Sequence, residues 1–214
     1  MKYFVITGEK SGDLHAADLI SALFRQDPEA EIVAYAGEES ASKGATVLKD
    51  YSGYSVMGFF EILSKFLLLF KTFRQCKADI LKFNPDKLIL VDFSGFNLRI
   101  ARFAKKKGFH VTYYIAPKTW IWNKRRNRTL KQNINLLLAI FPFEQAYFRK
   151  KGINANYVGN PTVEQILDLP ESQENKSQIV VLPGSRKQEV HIQVEVFMVY
   201  LFDNFTFYQI AELF

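Results

Sequence analysis

Three titratable side chains, Glu9, Asp13 and His15, fall within seven residues of one another in the stretch Gly8-Glu9-Lys10-Ser11-Gly12-Asp13-Leu14-His15. The stretch follows the apolar run Lys2-Tyr3-Phe4-Val5-Ile6-Thr7 and opens an amphipathic one. The pattern predicts a buried strand that turns through two glycines into a helix N-terminus. Backbone in such a turn can approach a ligand closely, and acids placed there face the crevice at the carboxyl edge of a parallel sheet. Glycines that only permit the bend, with polar side chains that only cap the helix, fit the same residues.

A second set of residues lies around Asp92, which ends the run Lys87 to Val91 and is followed by Gly95, Phe96 and Asn97. An Asp at the carboxyl end of a central strand sits where general bases sit in such sheets, with Asn97 placed to cap the next helix and hold a hydroxyl. Capping of backbone amides is the plainer role for the same Asp. Further on, Trp120 and Trp122 stand between Lys118 and the cluster Lys124, Arg125, Arg126, Arg128. Aromatics interleaved with cations can stack the bases of single-stranded nucleic acid, or line a sugar or acyl site beside a phosphate. They also fit a solvated basic helix with its tryptophans in the core. Gly184-Ser185-Arg186, after the run Gln178 to Leu182, offers free amides and a guanidinium for a phosphate or diphosphate. A P-loop lysine and the third glycine of a dinucleotide fingerprint are both missing, and His15, His110 and His191 share no metal-ligand spacing. No metal and no cofactor is expected.

The elements that must position these residues repeat along the chain. Short apolar runs at Tyr3 to Thr7, Glu31 to Ala36, Lys87 to Val91, Phe109 to Tyr114, Asn135 to Ile140, Asn154 to Val158 and Gln178 to Leu182 read as strands. Helical patterns lie between them, at Leu14 to Arg25, Met57 to Phe83, Asn97 to Lys107, Phe143 to Lys151 and Val163 to Leu169. Continuous rather than alternating hydrophobicity predicts strands covered on both faces, hence a doubly wound parallel α/β sheet. Residues 169–177 are polar and follow a proline, as a linker does. The expected organisation is therefore a Rossmann-like domain over 1–168, a linker over 169–177, and the start of a second α/β domain over 178–214.

A chain of 214 residues that is 48% hydrophobic and 23% charged is globular rather than disordered. Its one cysteine, Cys76, excludes an internal disulfide and suits a reducing compartment. No signal-peptide pattern opens it, and Phe66-Leu67-Leu68-Leu69-Phe70 falls far short of a spanning helix. The broad apolar side of Met57 to Arg74, flanked by lysines, suits a bilayer interface or the acyl chains of a lipid, and equally a core helix. The net charge of +6 is concentrated: residues 93–143 hold eleven Lys and Arg and no acid, which leaves −5 for the remainder. Such a segment attracts an anionic partner, whether a phosphorylated substrate, an acidic membrane surface or nucleic acid.

Seven separated blocks, in order, resemble the lipid-A-disaccharide synthases, glycosyltransferases of the two-domain GT-B kind. They are Gly8 to Ala16, Ser55-Val56-Met57-Gly58-Phe59-Phe60-Glu61-Ile62-Leu63, Asp92 with Gly95-Phe96-Asn97, and Pro117 with Trp120-Ile121-Trp122. Phe141-Pro142-Phe143-Glu144, Val158-Gly159-Asn160-Pro161 and Leu182-Pro183-Gly184-Ser185-Arg186 with Glu189 complete the set. Gly95 stands where some members carry a second acid, and Asn160 where many carry His. After Glu189 the match fades, so the second domain is expected to be present as its opening alone.

The resemblance implies a hexosyltransferase reaction that joins UDP-2,3-diacylglucosamine to 2,3-diacylglucosamine 1-phosphate with release of UDP, in lipid A biosynthesis. It implies a cytoplasmic protein peripheral on the inner face of the inner membrane, with an anionic membrane surface and no nucleic acid among its partners. Asp92 is then the expected base, with Asp13 and Glu9 behind it. Gly8, Ser11, Gly12 and Asn97 shape the acceptor side, and Trp120, Trp122, Lys124 and Arg125 bind substrate phosphate or headgroups. Gly184, Ser185 and Arg186 neutralise the donor diphosphate without a metal. The rival readings are a non-catalytic remnant that binds anionic lipid and a single-stranded nucleic-acid binder.

Overall fold

The computed structural model describes residues 1–51, 62–167 and 190. The chain divides into two units, Met1–Asp168 and Leu169–Phe214, and the fold set out below is that of the first. Its described residues contain seven strands: β1 (Lys2–Ile6), β2 (Glu31–Ala36), β3 (Thr46–Asp50), β4 (Lys87–Val91), β5 (Val111–Tyr114), β6 (Leu136–Ala139) and β7 (Ala155–Tyr157). They form one sheet in the order β3-β2-β1-β4-β5-β6-β7, with every pair parallel. Parallel neighbours need crossovers, and helices supply them. These are α1 (Lys10–Gln26), α2 (Glu38–Ser42), α3 (Ile62–Phe83), α4 (Ser94–Lys106), α5 (Arg126–Asn133), α6 (Pro142–Lys150) and α7 (Pro161–Leu167). The expected doubly wound α/β architecture is the one observed.

The strands are apolar without alternation because both faces are covered. On one face Phe4, Ile6, Leu88, Leu90, Val111, Tyr113 and Leu137 pack with Cys76 and Ile80 of α3, Ile100 and Ala101 of α4, Leu130 of α5 and Phe148 of α6. On the other, Val5, Ile32, Ala34 and Val91 pack with Ala16 and Ile20 of α1. Residues such as Ile6, Leu88 and Leu90 have no exposed surface, and burial of each is worth about 1.5–3 kcal/mol. Cys76 is fully buried in the first of these layers, so desolvation pushes its thiol well up and keeps it from reacting.

Most of the predicted strands coincide with observed ones to within two residues at each end, and α1, α4, α6 and α7 start one to four residues earlier than expected. Three elements were not expected: α2, β3 and α5. β3 is an edge strand, and its side chains alternate between exposed and half-buried positions. An edge strand buries too little to leave a continuous apolar run, and Thr46-Val47-Leu48-Lys49-Asp50 reads as loop for that reason. The predicted strand at Gln178 to Leu182, the linker and the opening of the second domain lie outside the described residues, as do Ser55 to Glu61.

The carboxyl side of the fold is tied together by Asp13, which is 1% exposed. Its carboxylate accepts hydrogen bonds from the amides of Gly37 (2.9 Å), Glu39 (3.1 Å) and Ser40 (3.3 Å) and from the Ser40 hydroxyl (2.6 Å). A side chain of α1 thus caps α2, which has too few residues to stand without one. Removal of these acceptors strands buried donors. Asp13→Ala should lower the unfolding free energy by about 2–3 kcal/mol in urea denaturation. Glu9→Ala, at an exposed position, should change it by less than about 0.5 kcal/mol.

Candidate active site

Strand order reverses between β1 and β4. To one side the chain runs β1, β2, β3 and to the other β4, β5, β6, β7, so the loops after β1 and β4 diverge and leave a crevice between them. Glu9 stands on the first loop and Asp92 on the second. The two loops are in direct contact, for a Cβ built on Gly8 would lie 2.1 Å from the Phe93 ring. The close approach that the sequence suggested for a ligand is made here by a protein ring. Gly12 is needed for a similar reason, since its Cβ would lie 2.2 Å from the Thr7 hydroxyl.

Beneath the crevice lies Asn97, with no exposed surface. Its Nδ2 donates to the carbonyls of Asp92 (2.9 Å) and Val91 (3.1 Å) at the end of β4, with a longer contact to Ile6 at the end of β1 (3.4 Å). The expected hydroxyl-binding and capping residue is therefore a tie across the switch point, on the first turns of α4.

Asp92 leaves the sheet in an unusual way. Its amide still donates to the Tyr114 carbonyl at 3.0 Å, which extends the ladder with β5 by one residue. Its own φ is then 45° and that of Phe93 is 41°, both in the left-handed region. Each such non-glycine residue costs about 1–2 kcal/mol, so surrounding structure must hold them there. The Asp92 carbonyl accepts from Asn97 and from the Tyr113 hydroxyl (2.5 Å), and the Phe93 ring stacks on Phe96 with centroids 5.6 Å apart. At the end of β5, Ile115 has a φ of 62°, an outlier for a β-branched residue. Strain is gathered at the rim where a parallel sheet binds ligands.

Burial first, and then the negative charge of Glu9, pushes the Asp92 carboxyl up from 3.8 to about 6. A hydrogen bond from the Phe93 backbone and the charge of Lys118 pull it back in part. The group is ionised at neutral pH and basic enough to accept a proton, the condition a general base must meet. Glu9 and Ser11 are exposed at the start of α1, with the Ser11 hydroxyl donating to Glu9 Oε1 at 3.1 Å. Asp13 faces α2, with its oxygens occupied as described above. His15, half-buried on α1, has its pKa lowered by desolvation.

The basic segment reaches the same crevice from the β5 side. Its loop is pinned by Asn127, which shares a 2.6 Å hydrogen bond with the Thr119 hydroxyl and donates to Tyr147 at 2.8 Å. Trp120 is half-buried, with Nε1 donating to the buried Glu144 at 3.0 Å and its ring edge-on to Phe143. That placement makes it a fixed part of the loop and removes it as a free stacking platform. Trp122 is 58% exposed and lies under the Arg126 guanidinium, 4.8 Å from its ring centroid. Arg126 in turn donates to the hydroxyl of Ser94, the first residue of α4, at 2.6 Å. Lys124 and Arg125 are exposed beside it. Tyr113 stands out as a candidate site residue in the structure alone, and the structure singles out Arg126 and Lys118 from the basic run already read in the sequence. In the sequence Arg126 was one cation in a run, and Tyr113 one apolar residue in a strand.

Across α4 from Arg126, Leu69, Phe70 and Phe73 of α3 with Phe96 and Arg99 of α4 line an apolar groove of about 210 Å³. Phe96 connects this groove to Phe93 and so to Asp92. Phe59 and Phe60 lie outside the described residues, and so do Gly184, Ser185 and Arg186. Among the described residues there is no group of three or more His, Cys, Asp or Glu able to hold a metal ion, and no helix long and apolar enough to cross a membrane.

Comparison with known proteins bears on this site. The unit resembles the crystal structure of a UDP-GlcNAc 2-epimerase from Neisseria meningitidis bound to UDP-GlcNAc, with a TM-score of 0.57. Identity is 12%, over 78% of this chain and 48% of that one, and the likeness is one of fold: a doubly wound α/β sheet of the GT-B type. Sequence relatives are nearer. Lipid-A-disaccharide synthase 1 of Legionella pneumophila is 34% identical over 202 residues, 90% of this chain and 53% of its own length. Lipid-A-disaccharide synthase of Myxococcus xanthus is 35% identical over 199 residues, 88% of this chain and 52% of its own. The chain thus spans about half the length of the curated relatives it matches. A family model described as lipid-A-disaccharide synthetase matches residues 3–206, and with these relatives it shows that the chain belongs to the lipid-A-disaccharide synthase family.

Proposed function

We propose that this chain forms the acceptor side of a glycosyltransferase that moves 2,3-diacylglucosamine from its UDP derivative onto 2,3-diacylglucosamine 1-phosphate. The observation that carries the reading is Asp92, a strained, partly desolvated carboxylate at the switch point of the sheet. One apolar groove and one basic loop both meet α4 beside it. The acceptor's primary hydroxyl is too weak a nucleophile until its proton is removed, and Asp92 is the base for that step. With the proton on Asp92, the hydroxyl oxygen attacks the anomeric carbon and the UDP leaves with the bonding electrons.

Acyl chains on the acceptor suit the groove along Leu69, Phe70 and Phe73, and its phosphate suits Lys118, Lys124, Arg125 and Arg126. Leaving-group stabilisation falls to Gly184, Ser185 and Arg186, through amide and guanidinium donors. Glu9 acts through its charge on Asp92 rather than as a second base. The organisation into an acceptor domain over 1–168, a linker over 169–177 and a donor domain that opens at 178 belongs to this reading. So does a cytoplasmic location on the inner membrane surface, held by cations and exposed apolar side chains without a spanning helix.

Radiolabelled donor and acceptor, given to this chain joined to the carboxyl half of the Legionella relative, should yield labelled disaccharide and UDP. Asp92→Asn in that protein should lower turnover by about 100-fold or more, and near-normal turnover would remove Asp92 from the role. With the unaltered residue, kcat/KM should fall tenfold per unit below about pH 6, as Asp92 takes up its proton.

The same carboxyl makes a stability prediction of opposite sign. Between about pH 4 and 6 the folded chain keeps a proton that the unfolded chain has lost, so stability falls as pH rises through that window. Asp92→Asn escapes this loss. At pH 8 the variant should therefore be more stable than the unaltered chain by about 2–3 kcal/mol in denaturant titrations, with the gap closing at pH 4.

A further inference from the structure

We propose that Tyr113 is a positioning residue for Asp92: together with Asn97 it grips the Asp92 main-chain carbonyl in the interior and so holds that residue's carboxyl at the crevice. The inference rests on Asp92 as the base, and it names the part of the fold that keeps the base in place.

Tyr113 lies in β5, paired in register with Leu90 of β4, two residues before Asp92. Its side chain is fully buried among the helices on the α3 and α4 face. A phenol buried there needs an acceptor, and the one it meets is the Asp92 carbonyl at 2.5 Å. In a strand that continued straight, this carbonyl would turn to the sheet ladder. The left-handed turn at Asp92, φ 45°, instead points it inward, where the Asn97 amide also donates at 2.9 Å.

Carbonyl and side chain sit on one Cα. A carbonyl fixed by two donors therefore fixes the direction of the Cα–Cβ bond, and with it the carboxyl. A carbonyl freed of one donor can rotate toward the relaxed region of backbone space and carry the carboxyl with it. Asn97 also holds Val91 and Ile6, so its loss would disturb the strand ends themselves. Among the described residues the Tyr113 hydroxyl has this one acceptor, and it can be removed alone.

The charged groups that act on Asp92 are Glu9, from the loop after β1, and Lys118, from the loop after β5. Arg126 of α5 acts on Tyr113. All three remain in Tyr113→Phe, so a change in the Asp92 titration in that variant reports movement of the carboxyl rather than loss of a charge.

The test follows the Asp92 carboxyl carbon by NMR as pH is varied, in the 214-residue chain. In Tyr113→Phe the midpoint should fall by about one pH unit toward the ordinary carboxyl range, because a freed carboxylate gains water. In the chain joined to a relative's carboxyl half, the same variant should lose about tenfold in kcat with KM within twofold. It should lose nothing further in an Asp92→Asn background. A lower melting temperature with an unmoved Asp92 midpoint would mean that the hydroxyl only stabilises the fold, and would overturn the proposal. A moved midpoint beside normal turnover of Asp92→Asn would keep the positioning role and defeat the base assignment, so the two fail separately. Should Tyr113→Phe not fold, the unaltered chain still decides. A slowly exchanging Tyr113 hydroxyl proton in contact with Asp92 supports the grip, and a freely exchanging one refutes it.

Discussion

One side-chain amide holds the working end of this fold together. Asn97 has no exposed surface, and its Nδ2 lies within reach of three carbonyls from the ends of β1 and β4. The Ile6 and Val91 ends belong to paired strands, and Asn97 adds a side-chain donor to their carbonyls and to that of Asp92, which the Tyr113 hydroxyl also reaches. A buried carbonyl left short of a donor costs about 1–3 kcal/mol. A carboxamide on the first turns of α4 thus ties the two strand ends together, and the crevice stays narrow enough for Phe93 to lie on Gly8. The geometry of Glu9, Asp92 and Lys118 follows from that closure.

The closure also sets the electrostatics. A wide, wet crevice would leave Asp92 an ordinary carboxylate. Here burial is the first cause of its raised pKa and the nearby Glu9 the second, while Lys118 and a backbone amide limit the rise. The balance comes out at about 6, high enough for proton capture and low enough for ionisation at neutral pH. Two left-handed residues in succession, opposed by ring stacking and by donors to the Asp92 carbonyl, are the structural counterpart of the same compromise.

Much of this was legible in the residues. Continuous apolar runs such as Lys87 to Val91 have one physical explanation, burial on both faces, so the parallel sheet could be read directly. Asp92 was legible because it breaks such a run at the end where ligands bind. Elements that bury little were not: β3 alternates at the sheet edge, and α5 is so polar that Arg126 to Asn133 read as a charge cluster. Tyr113 was hidden for a different reason. Its hydroxyl matters through a partner 21 residues away, and nothing local separates it from Tyr114, its neighbour in the same strand.

The two aspartates near the rim show why residue type and loop position do not by themselves decide a role. Asp13 and Asp92 both follow buried strands, and both lose water to their surroundings. Asp13 gains four hydrogen-bond donors in exchange, three amides and a hydroxyl from the start of α2. Those donors turn the Asp13 carboxylate toward α2 and make it a structural tie. Asp92 gains far less: the lowering influences on its carboxyl are one backbone hydrogen bond and the charge of Lys118, and burial outweighs them. What makes one acid a brace and leaves the other available as the proposed base is therefore the supply of donors, set by which loop folds back on it. Around Asp92 the donors of the interior, Asn97 and Tyr113, go to its carbonyl, and that leaves the carboxyl to the crevice.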